Sequence, residues 1–322
     1  MRCVMSPVVS DWFAHNTSTA ADWPAARLVE LKADARIAVV IPARNEAGTV
    51  GEVVSLIATE LSDLVDELVV MDSLSSDATV AEARMAGATV HSVQDVRPDL
   101  GVQAGKGEAL WKSLFVTTSD LLVFIDADLT EWGPHFVTGL LGPLLTRPSV
   151  MLVRGFYDRV LDMGGVPSLE GGRVTELVAR PWLALHQPEL AEIVQPLAGE
   201  WAIRRSMMER LSIPAGYGVE FSTLLDVHAL HGLDGIAQVD LGRRAHRHQS
   251  LHDLGAMATE ILAVAEHRRG GVPSGVLSPV DEGTSPARSV VLKLPAEERT
   301  WVDRVVGVDE RLPAIEIGGY RP

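Results

Sequence analysis

Cysteine is nearly absent: among 322 residues there is one, Cys3. Neither an intrachain disulfide framework nor a cysteine metal cluster can be built from it, so a reducing, cytoplasmic setting is expected. Basic residues are also scarce. Lys and Arg number 28 against 43 Asp and Glu, a net charge of −15. That balance excludes a protein that coats nucleic acid or an anionic membrane through bulk charge, but leaves room for a local pocket for a small anion. No apolar run approaches the roughly 18 residues of a membrane-crossing helix, and the first residues lack the apolar centre of a signal peptide. A soluble protein with neither nucleic-acid nor membrane partner is expected. His-Glu-x-x-His spacing is missing. The segment GVQAGKGEALWKS falls one residue short of a P-loop, with Gly107 where Ser or Thr would hold magnesium.

What the chain does have is an apolar fraction of 47%, ordinary for a packed globular protein. Buried-type strands are expected at Ile37–Ile41, Glu67–Met71, Thr89–Ser92 and through LLVFIDAD, with helices at Val50 to about Leu61, near Ala78–Ala86, and in GKGEALWKSLFVTT. Such alternation predicts an α/β fold with a mostly parallel sheet covered on both faces. In such sheets ligands sit at the carboxyl ends of the strands, so the loops after Ile41, Met71 and Ile125 should converge on one cleft. Beyond residue 150 the pattern gives a strand in VMLVRGFYDRVL, a Gly-led helix in GGRVTELVARPWLALH, a helix in GVEFSTLLDVHALHG, a strand near Ile236–Leu241 and a helix in LHDLGAMATEILAVAEHRR. The expected division is a helical or irregular lead-in over 1–35, a nucleotide-binding part over 36–150, an acceptor- and metal-completing part over 151–270, and a linker and tail over 271–322.

The most informative motif is Asp126-Ala127-Asp128. Residues i and i+2 of a strand share a face, so both carboxylates can enter the cleft while Ala127 points away. Two neighbouring buried carboxylates require compensation, and a divalent cation holding a diphosphate would provide it. Arg44, Asn45 and Glu46 offer donors and acceptors for a base or ribose edge; a plain turn into a helix is an equal reading. Asp72 and Ser73 could meet a ribose or cap the next helix. Lys106, at a helix start, suits a phosphate. Gly171, Gly172, Arg173 and Thr175 form a second anion-site candidate, or a capped helix with a surface arginine. GRRAHRHQ is either a solvated basic patch or a source of a metal-binding histidine.

Taken together, IPARNE, VMDSLSSDAT, GKGEALW, FIDADL, GGRVTELVARP, QPLAGEWA, GYGVEF and LGRRAHRHQSLHDLGAMA resemble the glucosyl-3-phosphoglycerate synthases and their mannosyl relatives, over residues 36 to 268. The resemblance implies a GT-A glycosyltransferase fold, Rossmann-like, with a C-terminal acceptor and dimerisation extension. It further implies a nucleoside-diphosphate sugar donor, UDP-glucose first and GDP-mannose as the alternative, 3-phosphoglycerate as acceptor, Mg²⁺ or Mn²⁺, and a homodimer. By position, Pro42, Ala43, Asn45, Glu46 and Ser73 would hold the nucleoside, with Asp126 and Ala127 beside the ribose or base. Lys106 would touch the base or diphosphate. Asp128 and His246 would ligate the metal. Leu197, Glu220 and Arg244 would grip the sugar, which places Leu197, Glu220 and Lys106 nearest the chemistry. Gly172, Arg173, Thr175, Tyr217 and Arg159 would seat the acceptor, with His248 standing where the family usually has asparagine. Leu74 and Trp201 also depart from the family pattern.

The expected reaction is attack of the acceptor 2-hydroxyl on the anomeric carbon with retention. Glu200 and Glu220 are the nearby candidates for a covalent nucleophile; the resemblance implies that neither serves, and favours attack from the leaving-group face. Competing readings are a sugar nucleotidyltransferase, a non-catalytic sugar-nucleotide binding module and, less fittingly without a membrane segment, a polyprenyl-phosphate glycosyltransferase.

Overall fold

In this computed structural model residues 7–162, 167–168, 172–245, 250–270, 276–277, 288–295 and 301–321 are described. The lead-in forms helix α1 (Pro7–Asn16), strand β1 (Thr17–Thr19) and helix α2 (Ala25–Lys32). Strand β2 (Ile37–Ala43), α3 (Val50–Glu60), β3 (Glu67–Asp72), α4 (Thr79–Met85), β4 (Thr89–Ser92), α5 (Lys106–Ser113) and β5 (Leu121–Phe124) then alternate. Next come α6 (His135–Thr146), β6 (Leu152–Asp162), β7 (Pro167–Ser168), α7 (Arg180–His186), β8 (Trp201–Arg204), α8 (Arg205–Met208), β9 (Ile213–Pro214), α9 (Val219–His231), β10 (Ile236–Ala245) and α10 (Leu251–Arg268). The tail adds β11 (Val276–Leu277), β12 (Arg288–Pro295), β13 (Trp301–Gly307) and β14 (Glu310–Arg311).

The main sheet runs β1-β10-β6-β8-β5-β2-β3-β4, with β7 attached to β6. Along that path only β8 is antiparallel to its neighbours, β5 and β6. The unbroken apolar runs of the central strands follow from burial on both faces. Ala38, Val40, Leu122 and Phe124 join the core on one face, whereas Ile37, Val39, Ile41, Leu121 and Val123 join the core on the other. The expected α/β architecture is therefore present, and the loops after β2, β3 and β5 lie at one end of the sheet.

Four local differences from the sequence expectations have physical causes. Of the two readings of the lead-in, helical or irregular, α1 and α2 follow the helical one, but the lead-in also supplies an edge strand, β1, paired in parallel with β10. Three polar residues, Thr-Ser-Thr, gave no apolar signal for it. The Gly-led helix is not uniform: Thr175–Ala179 is a π-helical turn before α7. Pro181 has no N–H to donate back along the chain, which disfavours a regular helix there. Strand β5 stops at Phe124, two residues before Asp126. Finally, β10 continues past Leu241 through a bulge between Asp240 and Arg243, where Gly242 adopts φ +84°. Only glycine takes that conformation without strain.

The tail is stitched to the body. Strand β14 pairs with β9, and Arg311 sets a fork on Glu108, Nε to Oε2 at 2.7 Å and Nη2 to Oε1 at 2.7 Å. Both side chains are 1% exposed. Arg311 also donates to the carbonyl of Leu100 at 2.8 Å. Removing one partner of a buried pair strands the other charge. Arg311→Met is expected to cost about 3 kcal/mol in urea unfolding, at the lower end for such pairs because Lys112 also faces Glu108. A loss below about 1 kcal/mol, the range of an exposed pair, would show that the tail is not a brace.

Candidate active site

The loops at the carboxyl ends of β2, β3 and β5 open into a cleft of about 640 Å³. Its wall contains most of the residues singled out in the sequence: Pro42, Ala43, Arg44, Glu46 and Ser73 at one end, and Lys106, Asp126, Ala127 and Asp128 in the middle. Gly172, Arg173, Thr175, Leu197, Tyr217, Glu220 and Arg244 also belong to it. Asn45 and Asp72 are not in the wall. Asn45 accepts the Ser76 N–H at 2.8 Å, and the Asp72 carboxylate accepts the Ser75 N–H at 3.3 Å. Both side chains brace the loops rather than face the cleft, because the turns leave amides that require acceptors. His246, His248, Gly171 and the Arg159 side chain lie outside the described residues.

A chain of alternating charges runs across the floor. Lys106 Nζ lies 2.8 Å from Glu220 Oε1 and 2.6 Å from Asp126 Oδ1. Arg244 Nη2 meets Asp126 Oδ2 at 3.0 Å and Asp128 Oδ1 at 3.1 Å. Behind, Arg244 Nη1 donates to Glu200 Oε2 at 3.0 Å and to the Tyr157 hydroxyl at 2.7 Å. The two aspartates thus face one site because both reach the same guanidinium. Strand alternation does not explain it, since β5 has already ended. The β10 bulge matters here: it leaves Arg243 exposed and turns Arg244, at 6% exposure, inward.

The ionisation states follow from these partners. Burial by itself would lower the Lys106 pKa, but the carboxylates of Asp126 and Glu220 outweigh it and hold it well above the ordinary lysine value. Burial would likewise raise Asp126, yet Lys106 and Arg244 hold it well below the usual carboxylate range. Glu200 is pushed up by burial, against the pull of Arg244. It is fully buried and absent from the cleft wall, so it is not placed to attack a bound sugar.

Lys106 is held by its neighbours' lack of side chains. A Cβ on Gly107 would sit 1.8 Å from the Pro214 carbonyl oxygen, and one on Gly105 would sit 2.5 Å from that of Ala215. Backbone bonds from Gly107 to Gly216 (3.2 Å) and from Glu108 to Ala215 (2.8 Å) fix the start of α5 against this segment. Gly199 is similarly required, since a Cβ there would lie 2.2 Å from Asp126 Oδ2.

Sequence reasoning missed several wall residues: Val174, and Leu254, Met257 and Ile261 of α10. The segment of α10 reads from the sequence only as a helix, and apolar periodicity does not distinguish a core face from a cleft face. Tyr157, Arg154 and Glu260 were also missed, being single polar residues inside apolar patterns.

Among the described residues no three His, Cys, Asp or Glu side chains gather as a self-sufficient metal site. Asp128 is nevertheless suited to share an ion with a ligand. It lies in the cleft wall, accepts from Arg244 at Oδ1, and its Oδ2 has no protein donor among the described residues. Magnesium characteristically takes one or two carboxylates and completes its shell with phosphate oxygens and water.

The glycosyl transferase family 2 model matches residues 38–209. A glucosyl-3-phosphoglycerate synthase of Mycolicibacterium smegmatis is 47% identical over 266 residues, 82% of this chain and 88% of that protein. The crystal structure of the Mycobacterium tuberculosis glucosyl-3-phosphoglycerate synthase with Mn²⁺, UDP-glucose and phosphoglyceric acid is also similar. It superposes with a TM-score of 0.80 at 41% identity, covering 91% of this chain and 95% of that one. The same enzyme with Mg²⁺ and UDP gives a TM-score of 0.82 at 41% identity, covering 94% and 98%. A strand-end cleft with an Asp-x-Asp pair on a mostly parallel sheet is the architecture of a sugar-nucleotide-dependent glycosyltransferase. The chain belongs to glycosyl transferase family 2 and, within it, to the glucosyl-3-phosphoglycerate synthase family.

Arg244→Met leaves Glu200 and Asp126 short of their shared cation, and is expected to cost about 3–5 kcal/mol in urea unfolding. Adding Glu200→Gln should return part of that loss, with a coupling energy of about 1–3 kcal/mol. Additivity within about 0.5 kcal/mol would mean that the two residues do not act as a pair.

Proposed function

We propose that this chain transfers glucose from UDP-glucose to the 2-hydroxyl of 3-phosphoglycerate with retention at the anomeric carbon, releasing UDP and forming glucosyl-3-phosphoglycerate. The observation that carries this reading is the joining, in one cleft, of the Asp126–Asp128 pair to the donor cluster Gly172, Arg173 and Thr175. The first suits a sugar nucleotide and its cation; the second suits a small phosphorylated acid. The similar Mycobacterium tuberculosis enzyme forms a complex with Mn²⁺, UDP-glucose and phosphoglyceric acid.

In this proposal residues 36–150 bear the nucleotide and 151–270 the acceptor. Pro42, Ala43, Arg44, Glu46 and Ser73 line the nucleoside end. Asn45 and Asp72 hold its loops in shape. Asp128 and His246 would hold Mg²⁺ or Mn²⁺, which when bound supplies positive charge to the departing diphosphate. Lys106 adds a fixed ammonium, kept in place by Asp126 and Glu220 rather than by water, so little reorganisation is required as charge develops. Glu220 and Arg244, with the backbone of Leu197, orient the glucose. Arg173 offers a planar fork to a phosphate or carboxylate, and the Gly172 amide and Thr175 hydroxyl add neutral donors. Tyr217 keeps its proton, since burial raises its pKa, and its hydroxyl is therefore available as a donor at the acceptor end. With Glu200 buried behind Arg244 and Glu220 bonded to Lys106, attack from the face of the leaving diphosphate is the route this geometry favours.

Among the described residues no helix is long and apolar enough to cross a membrane. A cytoplasmic location belongs to the same proposal, because both substrates are charged phosphates that do not cross bilayers unaided. So does a homodimer, supported by the exposed Val291, Trp301 and Val305 on one face of the tail sheet.

The test is a donor panel of UDP-glucose, GDP-mannose and ADP-glucose with 3-phosphoglycerate and Mg²⁺, read by release of nucleoside diphosphate. UDP-glucose should give the highest kcat/KM. Release of pyrophosphate, or no turnover with any donor, would overturn the assignment. Asp128→Ala should lower kcat about 10²–10³-fold, the usual effect of losing one charge-stabilising group. Full activity in that variant would remove Asp128 from the metal site.

A further inference from the structure

The segment Ala215 to Gly218 connects three parts of the cleft. On one side its carbonyls hold the start of α5, which carries Lys106. Its own side chain, Tyr217, stands in the cleft wall, and the next residues begin α9 with Glu220. On the other side the turn rests on α10. A Cβ at Gly216 would lie 2.0 Å from Glu260 Oε1, and one at Gly218 would lie 2.7 Å from Val264 Cγ2. Glu260 and Val264 are one helical turn apart, so the two glycines allow the turn to sit directly on one face of α10.

Glu260 is 8% exposed and accepts the Gly218 N–H at Oε1, 3.2 Å away, and the Tyr217 N–H as well. Gly218 is the residue before α9, so this carboxylate from another helix caps the amino end of α9. The titratable groups facing it are Glu220 of α9, which repels it, and Tyr217 of the turn. Among the described residues no Lys, Arg or His makes an ion pair with it. A buried carboxylate without a cation is costly. Burial pushes its pKa up to about 7, with the two amides pulling the other way and Glu220 adding to the rise. A neutral residue would be cheaper here, which points to a use for the two acceptor oxygens.

Resting on the glucosyl-transfer reading above, we propose that Glu260 is a positioning residue: by holding the amides of Tyr217 and Gly218 it fixes the turn that aims Tyr217 at the acceptor. Its effect falls on the acceptor end. The nucleoside end of the cleft, built from the β2 and β3 loops, is not touched by it.

Glu260→Gln keeps the shape and one oxygen but removes the charge. Three measurements on the full chain test the proposal. Amide hydrogen exchange in the free protein should be faster at Tyr217 and Gly218 by about tenfold, the worth of one charge-assisted hydrogen bond. At pH 8 the KM for 3-phosphoglycerate should rise by about the same factor while the KM for UDP-glucose changes less than about twofold. The acceptor KM of the parent protein should also worsen, relative to that of E260Q, as pH falls from 8 to 6 and Glu260 takes a proton.

Stability should move the opposite way. A carboxylate whose folded pKa is raised above its ordinary value binds its proton more tightly in the folded state, so that stabilisation is lost as pH rises towards 7. The melting temperature of E260Q relative to the parent should therefore increase from pH 6 to pH 8. Unchanged exchange together with an unchanged acceptor KM in E260Q would overturn the proposal. Should E260Q unfold, Glu260→Asp, one methylene shorter, is read in the same way. Should the parent protein fail to turn over UDP-glucose with 3-phosphoglycerate, the functional reading falls, while slowed exchange that depends on Glu260 would still stand.

Discussion

The cleft depends on a line of opposite charges, Glu220–Lys106–Asp126–Arg244, that ends on Asp128 on one side and Glu200 on the other. Each cation is shared by at least two carboxylates, so none of these side chains can move without uncovering another. In a buried setting that makes the arrangement stiff, because an uncovered charge costs several kcal/mol. The stiffness also suits chemistry in which negative charge appears suddenly on a leaving diphosphate. Dipoles and charges already fixed in place stabilise such charge without first having to turn towards it.

The line carries more carboxylates than cations. Six ionisable groups take part, and only Lys106 and Arg244 are positive; Glu200, with its raised pKa, relieves part of the excess by holding its proton more readily. In the proposed reaction an acidic protein thus keeps a cleft whose floor would attract a divalent cation, while Arg173 and Lys106 would supply the positive potential for two anionic substrates. The overall charge of −15 says little about this site. Local pairing decides it.

The sheet was legible in the sequence because its strands are buried on both faces and therefore read as continuous apolar runs; Thr89–Ser92 and the helices beginning at Val50 and Val219 fall where periodicity puts them. The loops at the strand ends were legible for the same reason; Leu197, Tyr217, Glu220 and Arg244 were placed in the cleft by the family resemblance instead. Residues whose position depends on tertiary contacts were not. Strand β1 is too short and polar to announce itself. The continuation of β10 to Arg244 hinges on a bulge, and Gly242 alone does not distinguish a bulge from a stop. Asn45 and Asp72 carry the right chemistry for a ligand but are occupied by their own loops, a choice that depends on where Ser75 and Ser76 fall in space. Glu260 lies in a helix whose pattern reads simply as amphipathic.

The bulge in β10 has a consequence for any substitution that would let that strand pair without interruption. Across a regular ladder, side chains alternate between faces, so the extra residue between Asp240 and Arg243 exchanges the faces of everything after it. Were Gly242 drawn into the ladder as an ordinary paired residue, Arg243 would stand opposite Arg159 and point in, and Arg244 would turn out towards solvent. The sheet would lose little, yet Asp126, Asp128 and Glu200 would then face one another with no guanidinium between them. A single glycine without a side chain thus sets the electrostatics of the whole floor.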